Sequence, residues 1–465
     1  MKTTKNRPNL MGSLLNKQLL KQTQERKPFV SVISPSFNRR EFLPYLIYQF
    51  HYQDYPADRR ELIILDDSAE SNEDLVNMLA MNNDTNVRYI HSPRRLQLGE
   101  KRNMLNDLAT GEYIICFDDD DYYPANKVSY QVEQMIHHKA VFSGCDQIYI
   151  WYSHLDKIYR TTSLGKNHAL NGTFGYHRNY LKKHRYRDSD MLAEEGPFLN
   201  GFTAPVLQVE PRNTILCVSH SANTYDKDFV LGTCESVDLT LEDFVTDSNL
   251  LTHYRRLSHA PVTQPVNWSV FEKIIVLENS VEKNTEITTR SLVDFGMAPQ
   301  QLIFQNKNED ELDTHLTVLE LAKEQGWKSI LIIDSTIQFV KKENFVKNVN
   351  GLLNNIESID WKVILLGAQH DSIRKMQTLP GVARILGADC ACAYAVNSCY
   401  YQDLIDLYRM ARDKKASLNV AWQIKMKEDL WLGFYPSFAY MSDQDTYTDG
   451  VSTDITHTFF RKKHN

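Results

Sequence analysis

No apolar run in this 465-residue chain approaches the roughly 18 to 20 residues that span a bilayer as a helix. The first 27 residues are polar with isolated leucines, so no secretion-signal core is read there, and the expected setting is cytoplasmic. The seven cysteines are odd in number and scattered, which is not a disulfide framework. Cys390 and Cys392 lack the second pair that a zinc site wants and read as small buried residues. Basic charge is also short: 52 Lys and Arg against 59 Asp and Glu leave a net charge of −7, so nucleic acid is not an expected partner. No GxGxxG turn follows the first predicted strand, and a Walker loop is missing. Any phosphate handled here should therefore be neutralised by a metal and basic side chains rather than cradled by glycine-rich backbone.

What is present begins with Gly111 to Tyr123, GEYIICFDDDDYY, an apolar β-prone run ending in Asp118, Asp119, Asp120 and Asp121. Adjacent ionised carboxylates repel and raise each other's pKa, so a tetrad at the exit of a buried strand points to a compensating cation. An acidic loop or helix cap is the plainer alternative, against which stands the strand-like run Tyr113-Ile114-Ile115-Cys116-Phe117. Upstream, Glu61-Leu62-Ile63-Ile64-Leu65 ends in Asp66-Asp67-Ser68. Before it, Phe29-Val30-Ser31-Val32-Ile33 leads through the polar turn Ser34 to Arg40 into a predicted helix with Phe42, Leu43, Leu46, Ile47 and Phe50 on its apolar face. The order β, α, β, α, β favours a parallel sheet. Ligands of such sheets sit beyond the carboxyl ends of the strands, where both groups of acids should fall.

Four segments in order, VSVISPSFNRREFLPYLIYQF, ELIILDDSAE, LGEKRNMLNDLATGEYIICFDDDDYYPANK and AEEGPFLNGF, resemble the family 2 glycosyltransferases over about the first half of the chain. The resemblance implies a GT-A fold in which Ser34, Phe37, Arg39, Asp66 and Asp67 hold the nucleotide. Lys101 or Arg102 would meet ribose or phosphate, the competing reading being a solvated helix face with Glu100 paired to a base. The unbroken tetrad hides its register; alignment with the family favours Asp118 and Asp120 as ligands of Mn²⁺ or Mg²⁺, with Asp118 and Asp119 facing the donor. Glu195 stands where the family places the base that takes the acceptor proton, and Glu194 precedes it. Both are Glu where Asp is commoner, so the choice between them stays open, beside the plainer reading of an acidic first helical turn. A lone His is usually structural, but several GT-A enzymes complete the metal shell with a His after the base, which here would be His220.

The expected reaction is a metal-dependent inverting transfer of a sugar from a nucleotide-diphosphate donor, UDP by resemblance, to a hydroxyl of a glycan, lipid or protein acceptor. A carbohydrate- or nucleotide-sugar-binding module with a decayed site is the rival, and a bifunctional transferase or a nucleotidyltransferase stands behind it. Intact acids at Asp66, Asp67, the tetrad and Glu195 favour the enzyme. The loops Ser143 to Lys157 and His168 to Arg187, rich in Tyr, His, Trp and Arg, are candidates for substrate choice, ordinary packing being the alternative.

A length of 465 residues calls for more than one domain. The expected plan is an N-terminal arm over 1–27, a catalytic domain over 28–229, a linker over 230–268 and a second domain over 269–465, giving two GT-A-like, Rossmann-like α/β domains in tandem. In the arm, Leu10, Leu14, Leu15 and Leu19 could line a basic amphipathic helix touching a membrane or partner, or simply pack on the domain. The second half, with ILIIDSTIQF, WKVILLGAQ and ADCACAYAVNSCYYQDLI, resembles the family 25 glycosyltransferases of lipopolysaccharide and collagen glycosylation. Where that family carries Glu-Asp-Asp, this chain has Asp334-Ser335-Thr336. Hydroxyls are poor ligands for a hard cation, so the second domain is expected to be non-catalytic or metal-independent, serving acceptor binding, stability or assembly.

Overall fold

The computed structural model describes residues 27–79, 86–191, 193–221, 223, 227–258, 264–279, 285–441, 443–444 and 453–461. The leucines of the N-terminal arm lie outside the described residues. The chain divides into two compact units, neither of which is one continuous segment: the first comprises 1–150, 163–218 and 242–250, the second 151–162, 219–241 and 251–465. Residues 230–268 are thus shared between the units, and Ser248–Ser258 within them is a helix.

In the first unit, β1 (Val30–Ser36), β2 (Arg60–Asp66), β3 (Val87–His91) and β4 (Tyr113–Cys116) pair in the order β3-β2-β1-β4, all parallel. Every residue of β1, β2 and β4 is buried, as a sheet covered on both faces requires. The sheet continues with β6 (Gly175–His177), antiparallel to β4, then β5 (Phe142–Gly144) and β7 (Leu207–Gln208). Helix α1 (Leu43–Tyr52) buries Leu43, Leu46, Ile47 and Phe50, the i, i+3, i+4, i+7 face that an amphipathic helix offers a sheet. Helix α2 (Leu98–Leu108) packs over β1 and β2 and buries Lys101 and Arg102 along with Leu105. Ile33, Leu65, Leu105, Ile114, Phe142, Phe174, Tyr176 and Phe198 form one continuous core, placing the segment after β6 beside the exits of the parallel strands.

In the second unit, β8 (Lys273–Glu278), β9 (Leu302–Asn306) and β10 (Ser329–Asp334) are parallel. A long hairpin, β11 (Val363–Lys375) and β12 (Val382–Asn397), joins β10 antiparallel, and β13 (Trp431–Phe434) closes the order β9-β8-β10-β12-β11-β13. The architecture is α/β in both units.

Candidate active site

The tetrad leaves β4 with its four side chains sent to different partners. Asp118 Oδ1 accepts from Arg102 Nη2 at 3.2 Å. Asp119 Oδ2 accepts from Ser36 Oγ at 2.7 Å. Asp120 Oδ2 accepts from Arg39 Nη2 at 3.3 Å, and Asp121 Oδ1 accepts from the Val218 N–H at 2.7 Å. Gln49 of α1 clamps the turn behind them, donating to Asp121 O at 3.1 Å and accepting from the Tyr123 N–H at 2.7 Å. Burial first, and then the neighbouring Asp120 charge, push the Asp119 carboxyl well above its ordinary range. Much of the charge that the sequence assigned to a cation is therefore met by Arg39 and Arg102.

The acids after β2 are equally committed. Asp66 Oδ1 accepts from the N–H and Oγ of Ser68, and Oδ2 accepts from Asn72 Nδ2 and Tyr89 Oη, both at 2.7 Å. Burial alone would raise this carboxyl, but the bonds from Ser68, Tyr89 and Asn72 hold it below its ordinary value. Asp67 accepts from Arg95 Nη1 at 2.6 Å, from the Leu96 N–H at 2.7 Å and from Lys101 Nζ. Lys101, which the sequence sends to ribose or phosphate, is buried and also donates to Ser36 O at 2.8 Å. Arg95 stacks over Phe37 just beyond β1, its Cζ 3.5 Å from the ring centroid. Ser34 is fully buried and its Oγ has no partner among the described residues.

Glu194 and Glu195, adjacent and chemically identical, are treated differently. Glu194 Oε1 accepts from Arg102 Nε at 2.8 Å and from Asn171 Nδ2 at 2.9 Å. Glu195 opens the short helix Glu195–Phe198 and accepts a long bond, 3.4 Å, from the Asn171 N–H. Burial, then the Glu194 charge, raise its carboxyl from 4.5 to about 7. Arg102 thus bridges Asp118 and Glu194, tying the strand exit to the acidic pair. His220 is buried and falls in the second unit.

Among the described residues no group of three or more His, Cys, Asp or Glu is arranged to hold a metal ion. The chemistry of Asp118 and Asp120 nonetheless suits a hard divalent cation, because Mg²⁺-type sites use one or two carboxylates and complete the shell with water and substrate phosphate. Gly172 borders Asp118: a Cβ there would come within 3.1 Å of Asp118 Oδ2 and 2.7 Å of Ile215 Cδ1, so only glycine keeps that side of the carboxylate open.

Arg95, Ser36, Gln49 and Asn171 escaped the sequence reading. Asn171, whose Oδ1 accepts from Tyr186 Oη at 2.7 Å, carries no motif that could have disclosed it. Lys127, in the PANK that follows the tetrad, is fully buried; its Nζ donates to Cys116 O at 3.0 Å and to Gly172 O.

Residues 31–194 match the family model "Glycosyl transferase family 2", so the N-terminal part carries a domain of that family; the match ends before the second unit's main sheet. Two curated relatives align to the chain. The Escherichia coli (strain K12) protein described as "Putative colanic acid biosynthesis glycosyl transferase WcaA" is 31% identical over 123 residues, covering 26% of this chain and 43% of its own. The Bacillus subtilis (strain 168) protein described as "Putative teichuronic acid biosynthesis glycosyltransferase TuaG" is 29% identical over 118 residues, 25% of this chain and 46% of its own. The chain thus spans less than half the length of the curated relatives it matches. Among solved structures, S. aureus TarS 1–349 in complex with UDP-GlcNAc gives a TM-score of 0.34 at 18% identity, covering 42% of this chain and 60% of that one. The mannosyltransferase PcManGT from Pyrobaculum calidifontis, with GDP-Man and Mn²⁺, gives 0.35 at 15%, covering 47% and 69%. Similarity this slight fixes neither a shared overall shape nor a ligand.

Proposed function

We propose that the first unit is an inverting glycosyltransferase that moves a sugar from a nucleotide-diphosphate donor, a UDP-sugar, to an acceptor hydroxyl. The observation that carries this is the division of labour between the two glutamates. Glu194 is locked by Arg102 and Asn171, whereas Glu195 is weakly bonded, with a carboxyl raised to about 7, where a general base works best. In this reading Glu195 takes the acceptor proton and Glu194 holds Arg102 in place. Asp118 and Asp120 would hold Mn²⁺ or Mg²⁺, whose chemistry there is to stabilise charge on the departing diphosphate. The Phe37–Arg95 surface receives the nucleoside, while Asp66 and Asp67, saturated by the chain's own donors, act as posts that shape its loops. His220 as a third metal ligand belongs to the same proposal.

The second unit is proposed to be a family 25-like domain without catalysis of its own. Asp334, at the exit of β10, is ion-paired with Lys307 and accepts from the Thr336 N–H at 2.9 Å, so its one remaining acid is already engaged. The acceptor would be a glycan, glycolipid or glycoprotein. Among the described residues no helix is long and apolar enough to cross a membrane; peripheral membrane contact and a cytoplasmic location stay with the proposal.

The test is thermal-shift binding of a panel of nucleotide sugars with and without Mn²⁺, because a ligand that binds only the folded state raises its melting temperature. A metal-dependent shift with one donor supports the enzyme. No shift with any donor would overturn it in favour of a module whose site has decayed.

A further inference from the structure

Immediately after the helix that Glu195 opens, three successive residues, Asn200, Gly201 and Phe202, take φ of 52°, 65° and 60°. Glycine adopts this left-handed conformation freely; a bulky residue such as Phe does so only under strain. The turn is held by the Leu199 N–H donating to Glu195 O and the Gly201 N–H donating to Gly196 O, both at 2.8 Å, and by Asn200 Nδ2 donating to Thr203 Oγ1 at 3.0 Å. Its result is the placement of the Phe202 ring. The ring stacks on His168, with centroids 4.3 Å apart and planes 11° from parallel, yet Phe202 remains 40% exposed. Its edge reaches Gly196, where a Cβ would lie 3.5 Å from Phe202 Cε2. The His168 carbonyl is anchored by Gln208 Nε2 at 2.8 Å, so the lower ring of the stack is seated on a fixed backbone. Strain is therefore spent on keeping an apolar ring partly in water beside Gly196, the residue that follows Glu195.

We propose that the Phe202–His168 stack is the platform on which the acceptor sits, and that the acceptor is a carbohydrate presenting a pyranose ring. The C–H face of such a ring is apolar and carries slight positive charge, which suits the negative face of an aromatic ring, while its rim of hydroxyls stays free to reach a neighbouring base. A serine or threonine side chain, or a lipid phosphate, offers no such face. This rests on the reading of Glu195 as the base and specifies the acceptor class for that site.

The test measures binding of the methyl β-glycosides of glucose, galactose, mannose and N-acetylglucosamine to the full chain by saturation-transfer NMR. Phe202→Gly removes the ring while keeping a residue at home in the left-handed turn, and its melting temperature checks the fold. Phe202→Tyr keeps a flat ring. Expected is binding of at least one glycoside to the wild type, weakened about tenfold in Phe202→Gly and retained in Phe202→Tyr. Equal binding by wild type and Phe202→Gly overturns the platform. So does failure of all four glycosides, or preference for a serine-containing peptide. If nucleotide sugars fail to shift the wild-type melting temperature, the glycosyltransferase reading falls, and the glycoside comparison still decides the platform by itself.

Discussion

Replacing Glu195 by Gln should make this protein more stable at neutral pH while abolishing its turnover. The Glu195 carboxyl is raised from 4.5 to about 7 by burial and by Glu194, so the folded state holds a proton that the unfolded chain releases earlier. Below about pH 4.5 both states of the wild type are protonated, and this group contributes no pH dependence. Between about 4.5 and about 7 the unfolded state ionises first, and wild-type stability falls with rising pH relative to the variant. Above about 7 the difference levels off. At 1.36 kcal/mol per unit, a shift of about 2.5 units corresponds to a plateau of roughly 3 kcal/mol. Gln keeps an oxygen for the Asn171 N–H, and Glu194 keeps Arg102, so little else changes. The assay follows thermal unfolding of both proteins across pH, reading the variant's Tm minus that of the wild type. That difference should open through the window and reach several degrees. In parallel, wild-type transfer should rise with pH through about 7 as the base loses its proton, and the Gln variant should show no such rise. A Tm difference independent of pH, or wild-type turnover in the variant, refutes the reasoning.

Asp67→Asn should be costly in another way, because it strands the buried Lys101 ammonium without its carboxylate; about 3 to 5 kcal/mol of stability should be lost, read as a large fall in melting temperature. Asp120→Ala removes one ion pair of Arg39, which keeps Asp119, so the fold should survive, while the Mn²⁺ needed for half-maximal transfer rises sharply or turnover disappears; an unchanged Mn²⁺ titration removes Asp120 from the metal site. Asp334→Ala leaves a Lys307 whose side chain is 30% exposed and can be solvated, so transfer should be unchanged; a large loss would make the second unit an active site.

The parallel strands and their acidic exits were legible because their signals are local. Continuous apolar runs such as Leu62 to Leu65 mark strands covered on both faces, and the spacing of Leu43, Leu46, Ile47 and Phe50 marks one face of α1. The tetrad was found but its neutralisation was not, since Arg39 and Arg102 reach it across 81 and 16 residues of chain. The units were harder still, because residues 151–162 join the C-terminal half by contacts that sequence proximity gives no hint of.

The amino-acid sequence by itself determined the α/β class, the order of the first parallel strands and the clustering of carboxylates at their ends, because periodicity and turn chemistry act over a few residues. Only the tertiary structure decided how each acidic side chain is paired. Glu194 and Glu195 differ by one position. What separates them is Arg102, 92 residues away, and Asn171, 23 residues away, whose side chains both fold onto Glu194, while burial and then the Glu194 charge raise the carboxyl of Glu195. Charge pairing of that kind depends on distance in space, and no local pattern encodes it.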